Sequence, residues 1–405
     1  MTDAPGGAPW RLDRTDVVLR GEQAGTGPTI LLLHAGGERR QVWTPVVEVL
    51  VTAGFRSVAV DQRGHGDSDG VAETLESYAG DVTAMLRTEP GRCIVVGASL
   101  GGLAAMVALA DPAVREKTEG VVLVDVVPNL EPARACRFLR EAGVLDRHSD
   151  LVDDVLVQIP RLSHGLAAFD RPVLLVRGGP GSAVVDEDVI GLLRLAPHAE
   201  VAAIPAAGHL VARDQPAALA RIIAERTAAW PALGLLREVS AGQLDHPGGH
   251  LLDHLRRVHR LVAAWGGSRR ARLAALCHAM YGTDGFPHPL LDLDQRDRVR
   301  AVIGDEAESL VYLYGACDRA RTYPHLDGSP VALTDRFTGE TAILRAGDLA
   351  EFALLTVANE LDVARTAALD ESTRQGIRSL IAGLAIHAPD VCAEALADPC
   401  WRRGG

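Results

Sequence analysis

Between Cys93 and Gly102 the chain reads Cys-Ile-Val-Val-Gly-Ala-Ser-Leu-Gly-Gly, followed by Leu-Ala-Ala. A charge-free, β-branched run that ends in Gly97-Ala98-Ser99-Leu100-Gly101 and leads into a small-residue helix is the setting of a nucleophilic serine. That chemistry needs a strained strand-to-helix turn, flanking glycines that allow close packing, and a helix N-terminus whose N–H groups face a developing oxyanion. Ser99 is therefore the candidate nucleophile. A second group of chemistry-bearing side chains lies in the last third of the chain. His246, His250 and His254 recur every four residues, and His254 shares a helical face with Val258 and Leu261. His278 sits in an apolar helix, and Asn359 and Asp362 share a face with Leu355 and Ala358. Polar side chains on apolar faces must satisfy one another, bind a metal or line a site.

The elements that must position these residues follow from the hydrophobic pattern. Up to about residue 230, short apolar runs alternate with amphipathic stretches, which predicts βαβ units around a parallel sheet. The runs are Thr29–Leu33, Ser57–Val60, Cys93–Val96, Gly120–Val124, Val173–Val176 and Glu200–Ile204. Helical patterns fall at Gln41–Thr52, Leu75–Arg87, Leu100–Ala110, Asp188–Leu195 and Ala217–Ala229. Two more, Glu131–Gly143 and Asp150–Ile159, would form a short lid within residues 128–170. The alternation stops near Pro231, and helical stretches follow, with a hairpin expected within Val331–Leu344. The expected organisation is an α/β domain over 1–232, a linker at 233–243, an all-α domain over 244–395 and a tail at 396–405.

Residues 29–228 resemble the α/β-hydrolase fold superfamily, especially its small bacterial ester- and lactone-hydrolase-like members. Besides the serine elbow, the likeness is carried by Leu31-Leu-Leu-His-Ala-Gly-Gly37, Asp61-Gln-Arg-Gly-His-Gly-Asp-Ser68 and Ile204-Pro-Ala-Ala-Gly-His-Leu-Val211. It implies a mostly parallel sheet flanked by helices, His209 as general base, and the N–H groups of Gly36 and Leu100 as an oxyanion hole. It also makes His65 a turn residue. The acid is less direct. Relatives carry an aspartate two or three residues after the segment Val173–Gly179, where this chain has Pro-Gly-Ser-Ala-Val-Val-Asp, with Ser182 nearest that place. Asp186 is the first candidate; Asp125, or no acid at all, are the alternatives. A serine at position 99 argues against epoxide hydrolysis and dehalogenation, which need an aspartate nucleophile.

Residues 245–390 resemble helical domains of the HD type. That resemblance implies a metal held by His254, His278 and Asp362, with Ala279 standing where an aspartate normally ligates. Glu306 or Glu308 could supply a carboxylate instead. Two imidazoles and one carboxylate allow at most a single divalent metal. The α/β domain needs no cofactor.

Composition bounds the partners. With 53 acidic and 41 basic residues the net charge is −12, which argues against nucleic acid or an anionic membrane as a partner. The six cysteines show no CxxC pair or zinc-ligand spacing, and the first residues hold no apolar signal segment, so a cytoplasmic location is expected. The sequence thus reads as a serine hydrolase acting on a small carboxylic ester, thioester or lactone, its oligomeric state open. Two alternatives stand: a metal-dependent phosphohydrolase or oxygenase in the C-terminal domain, and a hydrolase-fold protein that only binds a ligand.

Overall fold

Runs such as Thr29–Leu33 and Thr118–Val124, in which every residue is buried, can exist only as strands covered on both faces. They form the middle of an eight-stranded sheet made of β1 (Ala8–Asp13), β2 (Val18–Ala24), β3 (Thr29–Leu33), β4 (Arg56–Asp61), β5 (Cys93–Ala98), β6 (Thr118–Val124), β7 (Val173–Gly178) and β8 (Glu200–Ile204). The spatial order is β1-β2-β4-β3-β5-β6-β7-β8. From β4 to β8 all neighbours are parallel, while β1 and β2 run antiparallel to each other and β2 antiparallel to β4. The sequence pattern does not reveal this first pair: half of its residues face solvent, so its runs are interrupted by Arg, Asp and Glu.

The computed structural model describes residues 7–71, 74–129, 131–141, 149–328 and 330–402. The chain divides into two units, residues 1–230 and 231–405. In the first, alternate strand residues feed two cores on opposite faces of the sheet. Leu31, Leu33, Val95, Leu123 and Leu175 meet the helix Leu100–Ala108, while Ile30, Leu32, Ile94, Val122 and Leu174 meet Trp43, Leu50, Leu219 and Trp230. Between β6 and β7 stand the helices Pro132–Glu141 and Ser149–Ala167. The second runs through Pro160 and buries Leu162 and Leu166, so it is longer than the expected Asp150–Ile159. The end of the expected Glu131–Gly143 helix lies outside the described residues.

The second unit is mainly helical, led by Leu251–Ala264, Arg269–Cys277, Asp305–Ala316 and Ala346–Thr366. It is not all-α. Asp245–His246 pairs with Gly249–His250, and Ala332–Thr334 pairs with Thr341–Ile343, the latter inside the expected hairpin segment. The expected linker is also structured: the helix Trp230–Glu238 and a 3-10 turn at Ala241–Gln243 occupy it. Most of the expected tail is docked, with Cys400 buried and Trp401 Nε1 donating to the Ala395 carbonyl at 2.8 Å; residues 403–405 lie outside the described set. Among the described residues no helix is long and apolar enough to cross a membrane.

One buried group ties the loop after β3 to the turn after β4. His34 is fully buried; its Nδ1 donates to the Ala35 carbonyl at 2.8 Å, and its Nε2 accepts the Gln62 N–H at 3.0 Å. Burial pushes its pKa down to about 4, assisted by the neighbouring His65 and opposed by the Ala35 carbonyl and Asp61. The unfolded chain binds this proton near pH 6.5 and the folded chain does not, so the stabilisation is complete above pH 6.5 and is lost as pH falls towards 4. We expect this histidine to contribute a loss of about 3 kcal/mol over that range. Urea unfolding of the full chain at stepped pH should show a shallower acid dependence in His34→Asn than in the wild type; equal slopes would remove His34 as the cause.

Candidate active site

The segment after β5 turns sharply because its sequence allows it. Ser99 has φ 47° and ψ −113°, a left-handed backbone that costs a non-glycine residue of order 1–3 kcal/mol. The turn closes only over small neighbours. A Cβ at Gly97 would lie 2.5 Å from the Gly102 nitrogen, and one at Gly101 would lie 2.6 Å from the Leu33 carbonyl oxygen. Ser99 is thereby held at the head of the helix Leu100–Ala108, whose first N–H groups have no partner within the helix.

The Ser99 hydroxyl donates to His209 Nε2 at 3.0 Å, and His209 Nδ1 donates to Asp125 Oδ2 at 2.9 Å. His209 lies on the loop after β8, held in place where the Gly208 N–H donates to Asp214 Oδ2 at 2.9 Å. Asp125 directly follows β6 with φ 51°, and its carboxylate is fully buried. Oδ1 accepts from the Gly178 N–H at 2.7 Å and the Ser182 hydroxyl at 2.6 Å, while Oδ2 accepts from the Ala183 N–H at 3.1 Å and from His209. Four donors satisfy an acceptor-only group in a place where an unpaired charge would be costly.

The aspartate beside His209 is thus Asp125 and not Asp186, the first candidate in the sequence. Asp186 opens the helix Asp186–Leu195 on the surface and pairs with Arg177. The reason is the strand register: Val124 of β6 pairs with Val176 of β7, so residue 125 emerges beside Gly178. Ser182, the residue nearest the place expected for the acid, is a donor to it.

The two proposed oxyanion donors are neighbours: a Cβ at Gly36 would sit 3.6 Å from Leu100 Cδ2. Their loop is anchored by a residue that the sequence marks only as a turn. The Gly37 N–H donates to His65 Nε2 at 3.0 Å, and His65 Nδ1 donates to the Arg63 carbonyl at 2.9 Å. Asp61 holds the other side, accepting the Arg40 N–H at 2.7 Å and pairing with its guanidinium. Above the imidazole, Phe138 of the helix Pro132–Glu141 meets His209 edge-on, ring centroids 4.8 Å apart. Arg134 of the same helix pairs with Asp188. Sequence reading could not find Phe138, because an aromatic in a lid carries no motif. This arrangement can transfer a proton from Ser99 to His209 while Asp125 fixes the ring's tautomer.

In the second unit the sequence-selected residues also converge, with different bonding. His254 Nδ1 donates to Asp362 Oδ2 at 2.7 Å, and His254 Nε2 lies 3.3 Å from His278 Nε2 and 3.1 Å from Asn359 Oδ1. Asp362 does not fit the role of metal ligand: the Arg257 guanidinium binds it bidentately at 2.7 and 3.0 Å. Burial works to raise the Asp362 pKa, but these hydrogen bonds hold it below the usual carboxylate range. Burial, reinforced by His254, pushes His278 down to about 3. His246 stacks on His254 with centroids 3.9 Å apart, whereas His250 precedes the helix and is exposed. Glu308 is buried but committed to Arg296, Arg300 and Tyr281, and Glu306 does not join the cluster. Among the described residues no three His, Cys, Asp or Glu side chains are arranged to hold a metal ion.

Comparison with known proteins divides the chain at the same place. Residues 30–222 match the alpha/beta hydrolase family, and residues 235–319 match a domain of unknown function, DUF6817. The esterase Rv0045c of Mycobacterium tuberculosis is 29% identical over 252 residues, covering 49% of this chain and 82% of that protein. The 2-(acetamidomethylene)succinate hydrolase of Mesorhizobium japonicum is 26% identical over 253 residues, covering 51% and 90%. The crystal structure of Rv0045c aligns at 25% identity with a TM-score of 0.43, covering 55% of this chain and 92% of that one.

The two aspartates give opposite expectations. Asp125→Asn should slow covalent labelling of Ser99 by a fluorophosphonate by about 10³–10⁴-fold, because the amide no longer fixes the tautomer of His209. Asp186→Asn should leave the labelling rate unchanged. Mass-spectrometric time courses of the intact protein measure both, and similar small effects from the two would take Asp125 out of the chain.

Proposed function

We propose that this protein is a serine hydrolase cleaving a small carboxylic ester, thioester or lactone, a reading supported by the match of residues 30–222 to the alpha/beta hydrolase family. The observation that carries the reading is the continuous chain from the Ser99 hydroxyl through His209 to Asp125, with links of 3.0 and 2.9 Å. Its relatives, an esterase and a hydrolase by name, support the same chemical class.

In this reading Ser99 Oγ attacks the carbonyl carbon as His209 Nε2 takes its proton. The tetrahedral oxyanion is met by the N–H groups of Leu100 and Gly36. Collapse expels the alcohol or thiol, which receives the proton from His209, and leaves an acyl group on Ser99. Water then attacks the acyl carbon with His209 again as base, releasing the acid and restoring the serine. Asp125 orients the His209 ring and stabilises the imidazolium that forms in each half-reaction. Its four hydrogen-bond donors occupy both carboxylate oxygens and hold the side chain against His209. No cofactor enters these steps.

Ser99→Ala should lower turnover of p-nitrophenyl acetate and butyrate by at least about 10³-fold without changing the circular dichroism spectrum. His209→Ala should lose a comparable factor, and the double variant little more, because the pair acts as a unit. A well-folded Ser99→Ala protein that keeps most of its turnover would overturn the reading.

A further inference from the structure

The imidazole cluster of the second unit gathers acceptor atoms that need either one more proton or a cation between them. His278 Nδ1 faces the Ala275 carbonyl at 2.8 Å. A carbonyl only accepts, so Nδ1 carries the proton and Nε2 presents a lone pair. His254 Nδ1 faces the Asp362 carboxylate, itself held by Arg257, so in the neutral ring the lone pair falls on His254 Nε2. The Asn359 amide is oriented by its Nδ2 donating to Glu360 Oε1 at 3.2 Å, which turns Oδ1 towards the imidazoles. His254 Nε2 therefore faces two acceptor atoms, His278 Nε2 at 3.3 Å and Asn359 Oδ1 at 3.1 Å, on side chains no more than 7% exposed. Something electropositive belongs between them.

We propose that His254 Nε2, His278 Nε2 and Asn359 Oδ1 form the protein-side ligands of one divalent transition-metal ion, with Asp362 outside the ligand set. Two imidazole nitrogens at about 2.0–2.1 Å from a tetrahedral metal lie about 3.3–3.4 Å apart, and the two here are 3.3 Å apart. Each imidazole also donates its other N–H to a carboxylate or a backbone carbonyl, the arrangement that orients metal-bound histidines. Nitrogen ligands with one neutral oxygen favour zinc, cobalt or nickel over magnesium or calcium. Glu360, which accepts from the Asn359 amide, also lines a cavity of about 580 Å³ with Arg319 and Tyr323.

The test uses the full chain, freed of metal by dialysis against a chelator and titrated with Co²⁺ by visible absorption, then with Zn²⁺ by elemental analysis after gel filtration. One equivalent per chain is expected, with a higher melting temperature in the loaded protein. His278→Gln should weaken binding at least 100-fold, and Asn359→Ala should weaken it less. Asp362→Asn should keep the stoichiometry at 10–100-fold lower affinity, the usual cost of removing an orienting partner. Wild-type protein that binds neither ion and shows no thermal shift would overturn the proposal, leaving a proton on His254 Nε2 to separate the acceptors. That measurement does not depend on any variant folding. Binding that survives in His254→Gln/His278→Gln would place the metal away from these two imidazoles. Loss of stoichiometry in Asp362→Asn alone, with Asn359→Ala unaffected, would restore the carboxylate as ligand. Either result would overturn the ligand set.

Discussion

The buried carboxylate of Asp125 is the point on which the first unit converges. Its four donors come from the end of β7 (Gly178), the loop beyond it (Ser182 and Ala183) and the loop after β8 (His209). Removing water from an aspartate is expensive unless each lone pair finds a donor, so the three chain segments are not free to settle independently. The same constraint that makes the carboxylate tolerable in the interior fixes the imidazole ring at hydrogen-bonding distance from Ser99.

The sheet supplies the rest of the precision. β5 and β6 are adjacent and parallel, and the Ser99 N–H donates to the Val124 carbonyl at 3.2 Å. The elbow and the acid therefore leave neighbouring strands at the same edge, one residue beyond the ladder in each case. Both have positive φ, and they are two of only three non-glycine residues with that conformation among those described. Backbone strain is thus concentrated where two side chains must be turned towards one imidazole. The glycines at 97, 101 and 102 make the serine turn feasible by removing Cβ atoms that would meet backbone or Val126 at about 2.5–2.6 Å.

The core strands, the serine elbow and His209 were legible because each leaves a local signature: a short apolar run, a GxSxG turn after a strand, a Gly-His pair after the last strand. Asp125 was visible only as one of several possibilities, because its role depends on the register of β6 against β7, which no local pattern encodes. The β1–β2 pair escaped notice since a half-exposed edge carries a mixed, charged sequence. In the second unit, helical periodicity correctly turned His254, His278, Asn359 and Asp362 inward. What it could not tell was the bonding among them, since Arg257, one helical turn beyond His254, claims the carboxylate. Cooperative elements of two or three residues, such as the pairing of Asp245–His246 with Gly249–His250, fall below any sequence period.

The Ser182–Asp125 hydrogen bond has a bearing on how an acid can migrate within this fold. With the carboxylate just beyond β6, the end of β7 contributes one backbone N–H and the loop after it a hydroxyl and one more N–H. An aspartate installed at 182 would set a second negative charge against the first, both competing for one imidazole, and like charges at that range raise the pKa of one member sharply. An asparagine at 125 would then be needed to relieve it. Moving the acid from 125 to 182 therefore takes a double exchange, because an aspartate at 182 alone would face Asp125 across the hydrogen bond that Ser182 makes now.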